Sequence, residues 1–273
     1  MRGFQELFGE LRSLVNQEQP DGKAIWRILE AMAEESPDRF KAEVVEGYLP
    51  AFIPRLSGPL HVCGSLEALE DACAILSLPV FSLRLYGQKL THKEVQALVQ
   101  SPQLSYITRL DLEGTQIEEG AKALAESPNL SNLTELHLHV NQIRDEGAKA
   151  LANSPHLSNL TSLHLSDNEI GEEGAKALAN SPHLSHLTTL ELHSNEIGEE
   201  GAKALAASPN LSNLTTLDLS SNEIRNKGAK ALAESPHLSH LTTLDLDSNG
   251  IGDEGAKALV ESPYLRGLTE LYV

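Results

Sequence analysis

Most of this chain consists of repeated copies of one 27-residue segment, and that repetition constrains the fold more than any other feature. Copies of the pattern L-T-x-L-x-L-x-x-N-x-I open at equal intervals, at Leu133, Leu160, Leu187, Leu214, Leu241 and Leu268. Two weaker copies, which open at Val80 and Ile107, precede them. A unit of this size cannot bury its own apolar face, so we expect the copies to stack into an array.

Each copy changes its apolar spacing halfway along. Leu217 and Leu219 alternate as in a β-strand, whereas Ala229 and Leu232 fall on one face of a helix. The Ser-Pro pair at 181–182 ends the helix of its copy, because proline disfavours a helical conformation in the residue before it. We therefore predict one short strand and one short helix in each copy.

This pattern resembles the leucine-rich repeats, and the 27-residue length is similar to that of the ribonuclease-inhibitor-type subfamily, with Asn168, Ile170 and Gly174 in register. The resemblance covers about residues 80–273. It implies an α/β leucine-rich-repeat solenoid, a horseshoe with a concave parallel sheet and convex helices. It also implies an asparagine ladder that bonds loop backbone, at Asn141, Asn168, Asn195, Asn222 and Asn249.

The two ends of the chain depart from the repeat. Residues 1–58 carry helical apolar spacing, which predicts a small helical N-terminal region that is either a cap for the first repeat or a separate docking region. Residues 59–79 have the pattern of a degenerate leading unit, with a short strand in "LHVCG", and residues 80–273 form the predicted solenoid. Because the last copy stops at Val273 with no helix behind it, we expect either end-to-end self-association through the C-terminal edge or a missing cap.

The charge of the chain bears on the class of partner. The formal net charge is −18, from 21 Lys and Arg against 39 Asp and Glu. A surface this acidic repels phosphates, so we predict no nucleic-acid and no membrane partner and favour a basic protein. Two cysteines and an N-terminus without a signal-peptide pattern lead us to expect a cytoplasmic location.

The copies can be compared with one another within the chain. Gly-Ala-Lys-Ala-Leu recurs unchanged, for example from Gly147 and from Gly228, whereas the outward positions of each strand differ between copies. Strand side chains alternate, so these variable positions project from the concave face. We predict that a partner contacts this face at the following residues: Asp111, Glu113, His137, His139, His164, Glu191, His193, Asp218, Asp245 and Asp247.

Other functions are less favoured by the sequence. The resemblance permits a regulator of a small GTPase, although no residue here matches a motif for that role. The histidines with Glu191 have the chemistry of a zinc site, but no spacing motif such as H-E-x-x-H is present. We predict a non-enzymatic scaffold with no catalytic residue, no cofactor and no metal site, and metal binding is less favoured than the small-GTPase alternative. Protonation of the histidines below about pH 6.5 is expected to weaken binding of a basic partner.

Overall fold

The computed structural model describes residues 3–15, 28, 31–32, 60–63, 81–85 and 89–273. The chain divides into two compact units, one of residues 1–84 with 106–108 and the other of residues 85–105 with 109–273. Apart from residues 3–15, 28 and 31–32, the predicted helical region 1–58 lies outside the described residues, and so does the predicted degenerate unit 59–79 apart from 60–63. The predicted boundaries at 58 and 79 therefore stay predictions.

The first unit contains the predicted amphipathic helix at the start of the chain. Helix α1 spans Phe4–Val15, and its residues Leu7, Phe8 and Leu11 are buried, as their spacing predicts for a helix with one apolar face. Strand β1 lies in the predicted "LHVCG" segment. It spans Leu60–Cys63 and pairs in parallel with strand β2, Phe81–Arg84.

The rest of the described chain alternates strands with helices, as the repeat predicts. The strands are β3 (Ile107–Asp111), β4 (Glu135–His137), β5 (Ser162–His164), β6 (Thr189–Glu191), β7 (Thr216–Asp218), β8 (Thr243–Asp245) and β9 (Glu270–Tyr272). The helices are α2 (His92–Gln100), α3 (Gly120–Glu126), α4 (Arg144–Ala152), α5 (Glu172–Asn180), α6 (Gly198–Ala206), α7 (Arg225–Ala233) and α8 (Asp253–Val260). Among the described helices, none combines the length and apolarity that crossing a bilayer requires.

Strands β3 to β9 form a parallel sheet in which each strand pairs with the next one along the chain. The register advances by one repeat at each step, so Leu136 lies opposite Leu163 and Leu163 opposite Leu190. All three leucines have no exposed surface, because they point into the core between sheet and helices. The α/β leucine-rich-repeat solenoid predicted from the sequence is confirmed.

The unchanged glycine of each copy is explained by the contact between neighbouring helices. A Cβ atom at Gly228 would lie 2.4 Å from Ile224 Cγ2 and 3.0 Å from the Cβ of Ala202 in the preceding helix. Both distances are shorter than ordinary carbon–carbon contacts, which optimise near 3.5–4.0 Å. Any larger residue would therefore push successive repeats apart.

The asparagine ladder predicted from the resemblance is present. The Oδ1 atom of Asn168 accepts hydrogen bonds from the backbone N–H groups of Asn141 at 3.1 Å and Ile143 at 3.2 Å. Its Nδ2 donates to the carbonyls of Leu138 at 2.8 Å and Ser166 at 2.9 Å. Asn168 is fully buried, so the side chain satisfies loop groups that neither water nor the strand ladder reaches.

A second ladder, formed by serines, was not predicted. From Ser127 onward, the serine of each Ser-Pro pair donates its hydroxyl to a carbonyl near the end of the helix in the preceding copy, as from Ser154 Oγ to Ala125 O at 2.5 Å. A short 3₁₀ turn follows, for example at Pro155–Leu157. In the same loops Asn159 Nδ2 lies 2.7 Å from Ser131 O and His186 Nδ1 lies 3.0 Å from Ser158 O. Asparagine and histidine at this loop position therefore have the same structural role.

Candidate functional site

The outward side chains of the sheet form two columns. The register places Asp111, His137 and His164 side by side on β3, β4 and β5. The same column continues through Glu191, Asp218, Asp245 and Tyr272. The second column lies two residues further along each copy and contains Glu113, His139, Ser166, His193, Ser220 and Asp247. These two columns are called the sheet face below.

Three histidines of the sheet face are in mutual contact. The rings of His137 and His164 stack with centroids 4.0 Å apart and planes 12° from parallel. The ring of His139 meets both edge-on, with centroids 6.1 Å from His137 and 5.3 Å from His164. One ligating atom from each residue lies within 4.8 Å of those of the other two. His137, His139 and His164 are called the histidine cluster.

Polar neighbours hold one side of the histidine cluster. His164 Nδ1 lies 2.7 Å from Glu191 Oε2, and the same oxygen lies 3.8 Å from His139 Nε2. The other ring nitrogen of His164 lies 2.7 Å from Ser162 Oγ. Because a carboxylate only accepts, His164 donates Nδ1–H to Glu191, and in the neutral ring Nε2 accepts the Ser162 hydroxyl. These two contacts hold the orientation of the ring.

Burial keeps part of the histidine cluster uncharged. The pKa of His137 is lowered to about 4, first by burial and then by the charges of His164 and Arg109, while Asp111 acts in the opposite direction. Burial and His164 also lower the pKa of His139. The hydrogen bond from His164 lowers the pKa of Glu191. The expected charging of all these histidines below pH 6.5 is therefore wrong for His137, which stays neutral in mild acid.

His193 does not belong to the histidine cluster, although the sequence grouped it there. In the second column Ser166 stands between His139 and His193, which places the two histidines two strands apart. His193 Nε2 instead lies 3.4 Å from Asp167 Oδ2.

The start of the sheet face differs from the prediction. Asp111 was expected to project into solvent, but it is only 4% exposed, and its Oδ1 accepts the backbone N–H of Glu113 at 3.2 Å. Sequence reasoning also overlooked Arg109 and Glu135, which form an ion pair at 3.0 Å on the outward positions before the first column. Asp111 therefore offers a partner almost no exposed surface.

The later repeats carry a group of carboxylates called the acidic patch: Asp218, Asp245 and Asp247. Asp218 Oδ1 accepts the backbone N–H of Ser220 at 2.9 Å, and Asp245 Oδ1 accepts that of Asp247 at 2.9 Å. These bonds fix two carboxylates on adjacent strands. Burial raises the pKa of Asp245, and the nearby charges of Asp218 and Asp247 add to that rise, although the bond from Asp247 N–H opposes it.

The opposite side of the solenoid carries paired charges. On the helices, Lys149 Nζ lies 3.2 Å from Glu146 Oε1, and Lys176 and Lys203 each bond to glutamates one turn away on their own helix. Exposed pairs of this kind contribute little to stability. They give the helix side a solvated surface of mixed sign, unlike the acidic patch.

Comparison with known proteins gave a family match and a structural match. A family model described as leucine-rich repeat matches residues 129–152, 156–179, 183–206, 210–233 and 237–260. A crystal structure of an internalin (inlF) from Listeria monocytogenes str. 4b F2365 is similar at 22% sequence identity with a TM-score of 0.49. The similarity covers 81% of this chain and 62% of the internalin chain. No curated protein matches the chain.

Proposed function

We propose that this leucine-rich-repeat protein is a non-enzymatic scaffold that binds a basic protein partner on its sheet face, with the acidic patch as the main contact. One observation carries the proposal. Glu191, Asp218 and Asp245 stand in register on adjacent strands, and the outward positions of β6, β7 and β8 hold no lysine or arginine. These carboxylates therefore have no lysine or arginine beside them at the outward positions of their own strands.

The electrostatics of the acidic patch favour a cation. Neighbouring strands lie about 4.8 Å apart, and two unit charges at that distance repel by roughly 1 kcal/mol in water and roughly 3 kcal/mol near a protein surface. Burial is the main cause of the raised pKa of Asp245, and repulsion from Asp218 and Asp247 adds to it. A lysine or arginine from a partner would relieve it, and the field would speed encounter at low salt.

The sheet face also offers an aromatic contact that the site prediction left out. Tyr272 lies opposite Asp245 in the register and is 50% exposed. Tyrosine is enriched at protein interfaces, where its ring supplies contact area and its hydroxyl a hydrogen bond. A partner that places a cation on the acidic patch would meet this ring next to it.

The test compares two variants with the same change of net charge. The first carries Asp218→Asn, Asp245→Asn and Asp247→Asn, in which each asparagine keeps an Oδ1 acceptor for the local backbone bonds. The second removes three carboxylates from the helix side, by Glu146→Gln, Glu173→Gln and Glu200→Gln. Each protein is used as bait in a native lysate, and association rates with the captured protein are then measured across a salt series.

We expect the sheet-face variant to associate about tenfold more slowly at low salt, with the difference shrinking as salt is added. The helix-side variant should bind as the wild type does, because its carboxylates lie on the opposite surface. Equal effects of the two variants would show a general charge effect, and loss in the helix-side variant alone would place the interface elsewhere. Either result would contradict the proposal.

Several finer expectations remain predictions. No contact among the described residues favours the alternative of a small-GTPase regulator. The ribonuclease-inhibitor subfamily, the cytoplasmic location and self-association through the C-terminal edge likewise stay predictions. So does the expectation that nucleic acids and membranes are not partners, which rests on the repulsion between the carboxylates and phosphate.

A further inference from the structure

We propose that the histidine cluster, with Glu191, binds one zinc ion. This inference does not depend on the proposed partner interaction, although the two share Glu191. Its first support is the geometry. His137 and His139 lie on and just beyond β4, and His164 lies on β5 directly opposite His137, so three imidazoles converge from two neighbouring strands of a rigid sheet.

The second support is an unsatisfied nitrogen. Among the described residues, the buried side-chain atoms without a hydrogen-bond partner are His137 Nε2 and Ser166 Oγ. Glu135 Oε2 lies 3.7 Å from that nitrogen, beyond hydrogen-bonding distance. A buried polar atom without a partner costs about 1–3 kcal/mol, and most such atoms are satisfied. Coordination to a metal ion would satisfy the His137 ring.

The donor set suits zinc. Neutral imidazoles and a carboxylate are ordinary zinc ligands, at about 2.0–2.2 Å from the ion. Tetrahedral geometry at those lengths puts ligand atoms roughly 3.3 Å apart. Glu191 Oε2 already lies 2.7 Å from His164 Nδ1 and 3.8 Å from His139 Nε2, and the histidine atoms all lie within 4.8 Å of one another. Side-chain rotations of about 1.5 Å or less, which bring the histidine atoms together and move Glu191 Oε2 slightly away from His164 Nδ1, would complete the site.

The surroundings also fit a ligated His164. A metal-bound histidine usually donates its other ring N–H to a neighbouring oxygen, which fixes the ring. Ser162 Oγ lies 2.7 Å from His164 Nε2 and can serve as that acceptor once Nδ1 holds the ion. The negative charge of Glu191 offsets the charge of the ion in a half-buried position. The proposed ligands are therefore His137, His139, His164 and Glu191.

The test measures zinc affinity of the full chain by competition with a chromophoric chelator, near neutral pH. The wild type should bind one zinc per chain, and His139→Gln should weaken that binding at least tenfold. His193→Gln is the matched control, since it removes a histidine of the same sheet face that lies outside the histidine cluster. It should leave the affinity unchanged.

Cobalt substitution keeps the proposal testable if a variant fails to fold. Wild-type protein loaded with one Co²⁺ should show the strong visible bands of a tetrahedral site, and zinc should abolish them. Absence of those bands would overturn the proposal. So would an equal loss of zinc affinity in His139→Gln and His193→Gln, because it would mean scattered binding by surface histidines.

Discussion

Replacing Asn168 with alanine is expected to be among the most destabilising single changes in the solenoid. The side chain is fully buried and makes four hydrogen bonds to backbone groups. Alanine leaves the N–H groups of Asn141 and Ile143 buried without their acceptor. The carbonyl of Ser166 keeps one hydrogen bond in the variant, because it also accepts the N–H of Val140 at 3.0 Å.

The size of the effect follows from these contacts. An unsatisfied buried donor costs about 1–3 kcal/mol, so two of them cost roughly 2–6 kcal/mol of unfolding free energy, and the small cavity adds to this. Asn159→Ala is the matched control, since it removes one exposed bond, to Ser131 O at 2.7 Å. We expect it to cost about 1 kcal/mol or less.

The measurement is urea unfolding followed by far-ultraviolet circular dichroism. Repeat arrays can lose cooperativity, so the slope of free energy against urea must be compared between variants before stabilities are compared. A loss for Asn168→Ala below about 1 kcal/mol, or no larger than that of Asn159→Ala, would refute the view that the asparagine ladder supports the loops.

Two further perturbations test other parts of the fold. Because the pKa of His137 is depressed to about 4, its contribution to stability is complete above pH 6.5 and is lost as the pH falls towards 4. With chelator present, the unfolding free energy of wild type should fall by about 3 kcal/mol more between pH 6.5 and 4 than that of His137→Gln. Equal decreases in the two proteins would contradict this. Gly228→Ala should destabilise by about 1–3 kcal/mol because of the contacts with Ile224 and Ala202. Gly9→Ala in α1, where a Cβ meets nothing within 4 Å, should instead stabilise slightly, and a gain in both would refute the close-packing argument.

Much of the solenoid could be predicted because its signals are local and repeated. The alternation around Leu217 and the helical spacing around Ala229 recur in every full copy, so strand and helix were assigned correctly, and Asn168 was recognised as structural. The serine ladder escaped notice because Ser154 before Pro155 was interpreted only as a helix end. Its hydroxyl bonds a residue 29 positions earlier, and such a contact becomes visible only after the repeats are stacked.

The sheet face was predicted less completely, for two physical reasons. Register alone could have separated His193 from His139, since Ser166 occupies the strand between them. The repeat pattern, however, does not predict the rotamer or the burial of an individual side chain. The stacking of His137 on His164 and the low exposure of Asp111 depend on how neighbouring side chains fill the available space. Partner-binding residues predicted from outward alternation therefore include at least one residue that is covered.

The glycine–alanine contact between successive helices has a consequence for how such a chain changes over generations. Gly147, Gly201 and Gly228 each face an alanine of the preceding helix, at 3.0–3.1 Å from a hypothetical Cβ. Each of these junctions is therefore made of the same residues on both sides. In-frame duplication or deletion of one copy would join surfaces that already match, so the gene can lengthen or shorten the protein by whole repeats. Every added copy would bring one more strand whose outward residues are free to diverge.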